Sequence, residues 1–570
     1  MLGGVRRRAR HAAEAAYFWL RPRPTGSVVG LLFFCMSVTP SLIPRPWLAQ
    51  GLISGITLFL GYAIGSLVGR AGTFLRRIPP VRRVVDAVHP RAVVQPTEQA
   101  LVIALVLLVV AAVYQGSAWQ RDLHLLSGLP APDRWNYLRV PGVAALVLAG
   151  SVVVVRALRG AGRYVSHRLR RWIPPGPLQL LGTTAALMAV TVIAEEIAAG
   201  GFLTASERVF SAVNDVQSSP RDAPARPTRS GSPGSAVSWD SLGAEGRVFV
   251  AGGPTTADLV AFEPRGGPVK DPVRVYVGLR TTADTRAAAA LAVRELERTG
   301  AFSRSVLCVV TTTGTGWIDP YLTSALEYEH RGDTAIVGMQ YSYLPSWISH
   351  LSERGRVARA GSELFEQVRA RWSLLPPGRR PKLVVFAESL GALGSEAGFR
   401  SLADVRARTD GVLWSGPTHE NLLWHGLVSR RDPGTPEVLP VYGSGREVRF
   451  ASRPEDLTRP DTPWISPRVV YLQNPSDPVT WWTPSLLWRR PDWLEEPRGR
   501  DVLEAMRWFP VVTFVQVSGD LALAYGAPSG HGHSFHPPAA AAWAAITSPS
   551  GWTAGLSERL TRHLDALNLR

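Results

Sequence analysis

A serine, a carboxylate and a group of histidines, met in that order along the second half of the chain, have the makings of nucleophilic catalysis. A serine hydroxyl is a weak nucleophile at neutral pH. It needs a histidine to take its proton, and the histidine needs a carboxylate to hold its tautomer and offset its developing charge. Ser389 lies in KLVVFAESLGALG, residues 382–394, where a β-branched and aromatic run ends in Ala387-Glu388-Ser389-Leu390-Gly391. Small residues two places before and after a serine suit a sharp strand-to-helix turn that leaves the hydroxyl exposed, and Ala387, standing in for a glycine, is still small. Asp477 follows the apolar run VVYLQ in the turn NPSDPV, and His531, His533 and His536 lie in GHGHSFHPP ahead of an alanine-rich helical pattern. His533, followed shortly by an aromatic, is the favoured base, with His531 as its alternative. Asp410 and Glu420, which flank an earlier strand, are the alternative acids. A tetrahedral intermediate would also need N–H donors, for which Leu390 at the helix start and Gly314, Thr315 and Gly316 in TTTGTGWIDP are candidates. The same three histidines read as HxHxxH, a pattern that can bind metal, but no partner cluster with ligand spacing occurs elsewhere, so neither a metal nor a cofactor is expected.

Positioning such residues requires a scaffold, and from residue 237 onward strand patterns alternate with helical ones, the signature of a mostly parallel sheet in an α/β domain. Strands are expected at 247–251, 273–279, 305–311, 334–340, 383–386, 411–414, 469–473 and 511–517. Helices are expected at 284–298, 320–329 and 355–372, the second capped by Asp319 with Pro320 at its first position.

The chain of 570 residues is too long for one ordinary domain. Its net charge of +17 is uneven: residues 1–200 hold 22 basic and 7 acidic side chains, residues 201–570 hold 40 and 38. The N-terminal basic residues alternate with long apolar runs, a membrane pattern rather than a nucleic-acid one, so the bilayer is the expected partner and nucleic acid is not. Five spans are expected, at 26–43, 47–68, about 100–113, about 140–155 and 178–199. Arg6, Arg7, Arg8 and Arg10, together with the arginine-rich loops 70–91 and 156–171, belong in the cytoplasm by the positive-inside rule. An odd number of spans then carries everything after residue 200 outside. Glu195 and Glu196 are costly in hydrocarbon and are expected at the outer interface. The organisation read from these patterns is a helical membrane domain over 1–205, a flexible linker over 206–236 rich in Ser, Pro and Gly from 217, and an α/β catalytic domain over 237–570. The two cysteines, Cys35 and Cys308, offer no disulfide framework.

Tryptophans crowd the stretch after Asp477, at 481, 482, 488, 493 and 508. They read either as core and interface packing or, with Leu486 and Leu487, as an amphipathic cap near lipid headgroups or an acyl pocket.

Taken with DPVRVYVGL (271–279), TTGTGWIDP (312–320), FAESLG (386–391), NPSDPV (474–479) and GHGHSF (530–535), the chain resembles the actinobacterial membrane-anchored α/β-hydrolase family, in which a multi-span N-terminal domain precedes an α/β-hydrolase catalytic domain. The resemblance covers nearly the whole chain and implies a Ser-Asp-His triad at Ser389, Asp477 and His533. The expected activity is that of a membrane-anchored serine hydrolase on a lipid-like ester. Acyl transfer to an envelope lipid or glycan, and an inactive scaffold or lipid-binding module, are the alternatives.

Overall fold

The apolar runs between residues 24 and 157 form helices. The computed structural model describes residues 23–75, 98–169, 222–264, 267–344 and 354–569. Contacts divide the chain into two units, one built on the N-terminal helices and one on the sheet.

In the helical unit, α1 (Pro24–Ser37), α2 (Trp47–Leu75), α3 (Glu98–Leu126) and α4 (Val140–Leu169) share a core of Phe34, Val38, Leu58, Val113, Tyr137, Val140 and Ala144. Among the described residues, three helical segments are long and apolar enough to cross a membrane: Trp47–Leu75, Gln99–Leu126 and Arg134–Ala157. The expected first span, 26–43, differs. Its helix stops at Ser37 after 14 residues, about 21 Å, which is short of a hydrocarbon core of about 30 Å. Pro40 and Pro44 follow at once and offer no N–H to continue it. The fifth expected span, 178–199, lies outside the described residues.

Glycines four apart set the packing of α2 on two faces. A Cβ on Gly61 would lie 2.8 Å from Val29 O, and one on Gly65 would lie 2.6 Å from Thr25 O, so this pair lets α1 approach closely. Gly51 and Gly55 do the same for α4, where added Cβ atoms would meet Val143 and Val147 at 2.6 and 2.5 Å.

This unit also contains Pro484–Leu494 and Val502–Leu523, which the sequence reading assigned to the catalytic domain. The expected strand 511–517 is instead the helix Val512–Leu521. Its β-branched residues suggested a strand, but Gln516 and Asp520, four apart, fall on one helical face and both find buried partners there. Asp520 Oδ1 accepts from Arg45 Nε at 2.6 Å and its Oδ2 from Ser41 Oγ at 2.5 Å, while Gln516 Nε2 donates to the Ser37 and Thr39 carbonyls. Of the tryptophans nearby, Trp493 is buried and Trp488 exposed.

The second unit is organised on seven parallel strands: β1 (Val273–Val277), β2 (Val306–Thr311), β3 (Thr334–Met339), β4 (Lys382–Glu388), β5 (Gly411–Ser415), β6 (Val448–Ala451) and β7 (Arg468–Leu472), in the order β1-β3-β2-β4-β5-β7-β6. Helices α5 (Thr285–Arg298), α6 (Pro320–Glu329), α7 (Arg354–Ser373), α8 (Leu390–Glu396) and α9 (Ala539–Thr547) accompany it. Strands β1, β2 and β3 are buried along their whole length, as near-continuous apolar runs require in a sheet covered on both faces. The buried Arg274 of β1 is held by a two-point pair with Glu327 of α6, at 2.8 and 2.7 Å.

Two expectations are corrected here. Residues 247–251 belong to the helix Gly243–Ala251; Gly246 rests on the Tyr276 ring, where an added Cβ would come within 2.5 Å. Packing against β1 has overridden local strand propensity. Residues 229–236 of the expected flexible linker are tied to the sheet and to α5: Arg229 bridges to Arg274 of β1, Ser230 is fully buried, and Glu295 accepts from Ser235 Oγ and Ala236 N–H. Turn-forming composition here serves a tightly bonded edge rather than a tether. Residues 206–221 lie outside the described residues.

Candidate active site

Strand β4 runs straight into α8 through Ser389, whose φ of 57° and ψ of −129° are a backbone conformation that non-glycine residues rarely adopt. The turn is held from both sides. Ser389 N–H donates to Ser415 O at 2.9 Å, and Gly391 packs so closely on the end of β2 that a Cβ there would lie 2.4 Å from Thr311 O. Strain stored at one residue and fixed by its surroundings is the expected property of a functional turn.

Asp477 lies just past β7, fully buried, where it caps the short helix Pro478–Trp481 through its bond from Val479 N–H at 2.9 Å. Its other oxygen accepts from Thr480 Oγ1 at 3.0 Å and from His533 Nδ1 at 2.8 Å. Asp477 is thus a helix cap and the partner of a histidine at once. The ring of His533 is boxed in. Phe535 stands edge-on at 5.2 Å between centroids and Tyr525 edge-on at 5.0 Å. Gly416, at φ +53° just after β5, leaves room that a Cβ would fill at 2.3 Å from His533 Cε1. His533 Nε2 is buried and has no hydrogen-bond partner among the described residues. Ser389 Oγ is instead 3.0 Å from Tyr525 Oη.

The three histidines diverge to three carboxylates. His531 Nδ1 is 3.4 Å from Asp501, His533 meets Asp477, and His536 stacks on Tyr321 with Nε2 3.5 Å from Asp319. Among the described residues no three metal-ligating side chains come together. The alternative acids sit elsewhere: Asp410 accepts from Leu383 N–H near the start of β4, the opposite end from Ser389, and Glu420 pairs with Arg354.

The loop after β2 forms a closed turn, with Thr313 N–H donating to Trp317 O and Gly316 N–H to Thr313 O. The carbonyls of Thr315 and Gly316 accept from Gln340 Nε2 and Tyr276 Oη. Of the expected donors, Gly316 has its N–H engaged within the turn. Leu390 opens α8, whose first N–H groups lack intrahelical acceptors, beside Ser389. Behind the turn, Glu388 is buried and its carboxyl is raised well above the usual range, first by burial and then by the neighbouring Asp319 and Asp477 charges.

Sequence reasoning missed Gly416 and Tyr525. A glycine directly after a strand was a readable signal for the first. Tyr525 carried none, because only folding brings it beside Ser389.

A seven-stranded parallel sheet with a strained serine after its central strand and a carboxylate-histidine pair on later loops defines an α/β hydrolase fold. Residues 273–560 match the model of an alpha/beta-hydrolase family, and residues 38–254 match the model of that family's N-terminus. The chain belongs to this alpha/beta-hydrolase family. No curated protein and no solved structure matches it.

Proposed function

We propose that the chain is a membrane-associated serine hydrolase acting on a lipid-like ester through an acyl-Ser389 intermediate. The observation that carries this reading is the 2.8 Å bond between His533 Nδ1 and Asp477 Oδ2, buried beside the strained turn that presents Ser389. With Nδ1–H donated to Asp477, the free lone pair of His533 is on Nε2. Ser389 Oγ attacks the ester carbon as its proton passes to Nε2, and the carbonyl electrons move onto oxygen, where Leu390 N–H and a donor from the Thr312–Thr315 stretch stabilise them. Collapse of the intermediate releases the alcohol, which takes the proton from Nε2 and leaves the acyl group on Oγ. Water, activated by the same nitrogen, then releases the acid.

The lipid character of the substrate is inferred from the apolar helices of the same chain. With the arginine-rich loops at 70–91 and 156–171 in the cytoplasm, a further span over 178–199 carries residues beyond 200 outward, and lipids of the cell envelope become the substrate class. A second reading, acyl transfer to another lipid or glycan hydroxyl, is favoured by the seclusion of the site, since Ser389 is 1% and His533 3% exposed and a dry acyl-enzyme resists hydrolysis.

The test is covalent labelling of the full-length protein in membranes with a fluorophosphonate. The expected adduct is on Ser389 and is lost in Ser389→Ala. Undiminished labelling of that variant rules the assignment out.

A further inference from the structure

The hydroxyl of Ser389 is engaged by a residue outside the triad, while the nitrogen expected to activate it lacks a partner. Ser389 Oγ lies 3.0 Å from Tyr525 Oη, and His533 Nε2 is buried and unbonded among the described residues. Tyr525 touches both catalytic side chains, since its ring also stands edge-on to the His533 imidazole at 5.0 Å. Its backbone is tied to the same place: the carbonyl of the preceding, fully buried Ala524 accepts from His533 N–H at 3.3 Å. The Tyr525 side chain itself is 54% exposed, whereas Ser389 and His533 are almost wholly covered. An anchored backbone carrying an exposed ring can move that ring by rotation about its side-chain bonds.

From this geometry, and resting on the reading of Ser389 as the nucleophile, we infer that Tyr525 is a further residue of the active site, a clamp whose hydroxyl holds the Ser389 hydroxyl away from its base until an acyl substrate displaces the phenol. The exchange conserves hydrogen bonds. The Oγ–Oη bond breaks, Oγ–H donates to Nε2, and the buried nitrogen gains the partner it lacks. The displaced phenol, being half-exposed, bonds to water. Attack then proceeds with the Oγ proton moving onto Nε2 as the new C–O bond forms. A clamp of this kind keeps the nucleophile idle toward water and favours substrates with enough apolar bulk to push the ring aside, which suits a lipid ester better than a small soluble one.

The decisive measurement is the second-order rate of fluorophosphonate labelling at Ser389 in the full-length protein, wild type against Tyr525→Phe, with the unfolding midpoint of each as a control. Phenylalanine keeps the ring and removes only the hydroxyl. The expected result is labelling faster by about 2- to 10-fold, the factor that one net hydrogen bond represents, at an unchanged midpoint. Tyr525→Leu, which also removes ring bulk, should label at least as fast and narrow the preference for long-chain over short-chain esters. Equal or slower labelling of Tyr525→Phe overturns the clamp while leaving Ser389 as the nucleophile. Absence of Ser389 labelling in both wild type and variant overturns the nucleophile and the clamp together.

Discussion

Arg45 and Asp520, 475 residues apart in the chain, meet at 2.6 Å with both side chains wholly withdrawn from solvent. Arg45 also donates to Gln50 Oε1 and to the Gln516 carbonyl, and Asp520 accepts from Ser41 Oγ and Leu42 N–H. Each guanidinium nitrogen of Arg45 and both carboxylate oxygens of Asp520 are thereby bonded. Removing one partner strands a buried charge, so Asp520→Ala should destabilise the helical unit by about 3–5 kcal/mol. The double replacement Arg45→Met with Asp520→Leu should recover most of that loss. Thermal unfolding in detergent checks both, and a single variant as stable as wild type would show that the pair contributes nothing.

The divergence of the three histidines separates their roles. Ser389→Ala and His533→Ala should each lower turnover on the order of 10³-fold or more, and the double variant should lose little beyond that, because nucleophile and base act as one device. His531→Ala, whose ring neighbours Asp501, should stay within a few-fold of wild type. Asp477→Asn should be nearly as inactive as His533→Ala while remaining folded, since it keeps the shape and loses the charge that orients the imidazole. Ester turnover by the five variants decides the assignment, and an inactive His531→Ala beside an active His533→Ala would reverse it.

Gly416 is a sensitive small residue of the site. Gly416→Ala places a methyl group 2.3 Å from His533 Cε1 on a residue at φ +53°. The backbone cost alone is about 1–2 kcal/mol. The ring must shift as well, and a displacement near 1 Å at a catalytic group costs on the order of 100-fold. We expect a drop of that size in the labelling rate of Ser389 with only a modest fall in unfolding midpoint. Unchanged labelling would mean that the imidazole position is not critical.

Burial lifts the Glu396 carboxyl to about 7, against the partial opposition of hydrogen bonds from Tyr471 and the Trp424 and Leu423 N–H groups. Because the folded value lies above the ordinary 4.5, the folded chain binds the extra proton. The stability this contributes is therefore complete below about pH 4.5 and is lost as the pH rises through about 7. Glu396→Gln keeps the shape and cannot ionise. Relative to wild type, it should gain on the order of 3 kcal/mol between pH 4 and pH 8. Denaturant unfolding across that range reads the difference, and a flat one would show that Glu396 titrates alike in the folded and unfolded chain.

The elements around Ser389 were legible because they are local. A β-branched strand, small residues flanking a serine and a following helical pattern are neighbours in sequence, and each residue except the strained Ser389 prefers the conformation it has in the fold. The same holds for Asp319 and Pro320 at the start of α6, and for the apolar runs that became α2, α3 and α4. The alternation of strands with helices sufficed for a parallel sheet, since parallel neighbours need a crossover between them. What lay beyond the sequence was everything decided by pairing at a distance. Three histidines within six residues are equivalent until the fold sets a carboxylate beside each, and β7 and its turn deliver Asp477 to His533. The stretch Val512–Leu521 has the residues of a strand, yet it is a helix because Ser41, Arg45 and the carbonyls near Ser37 give Gln516 and Asp520 buried partners. Tyr525 has no motif at all; its hydroxyl meets Ser389 only because the turn that carries it is bonded to the backbone of His533. Propensity acts over a few residues, whereas burying a charge or a polar hydroxyl requires a partner that the tertiary structure alone supplies.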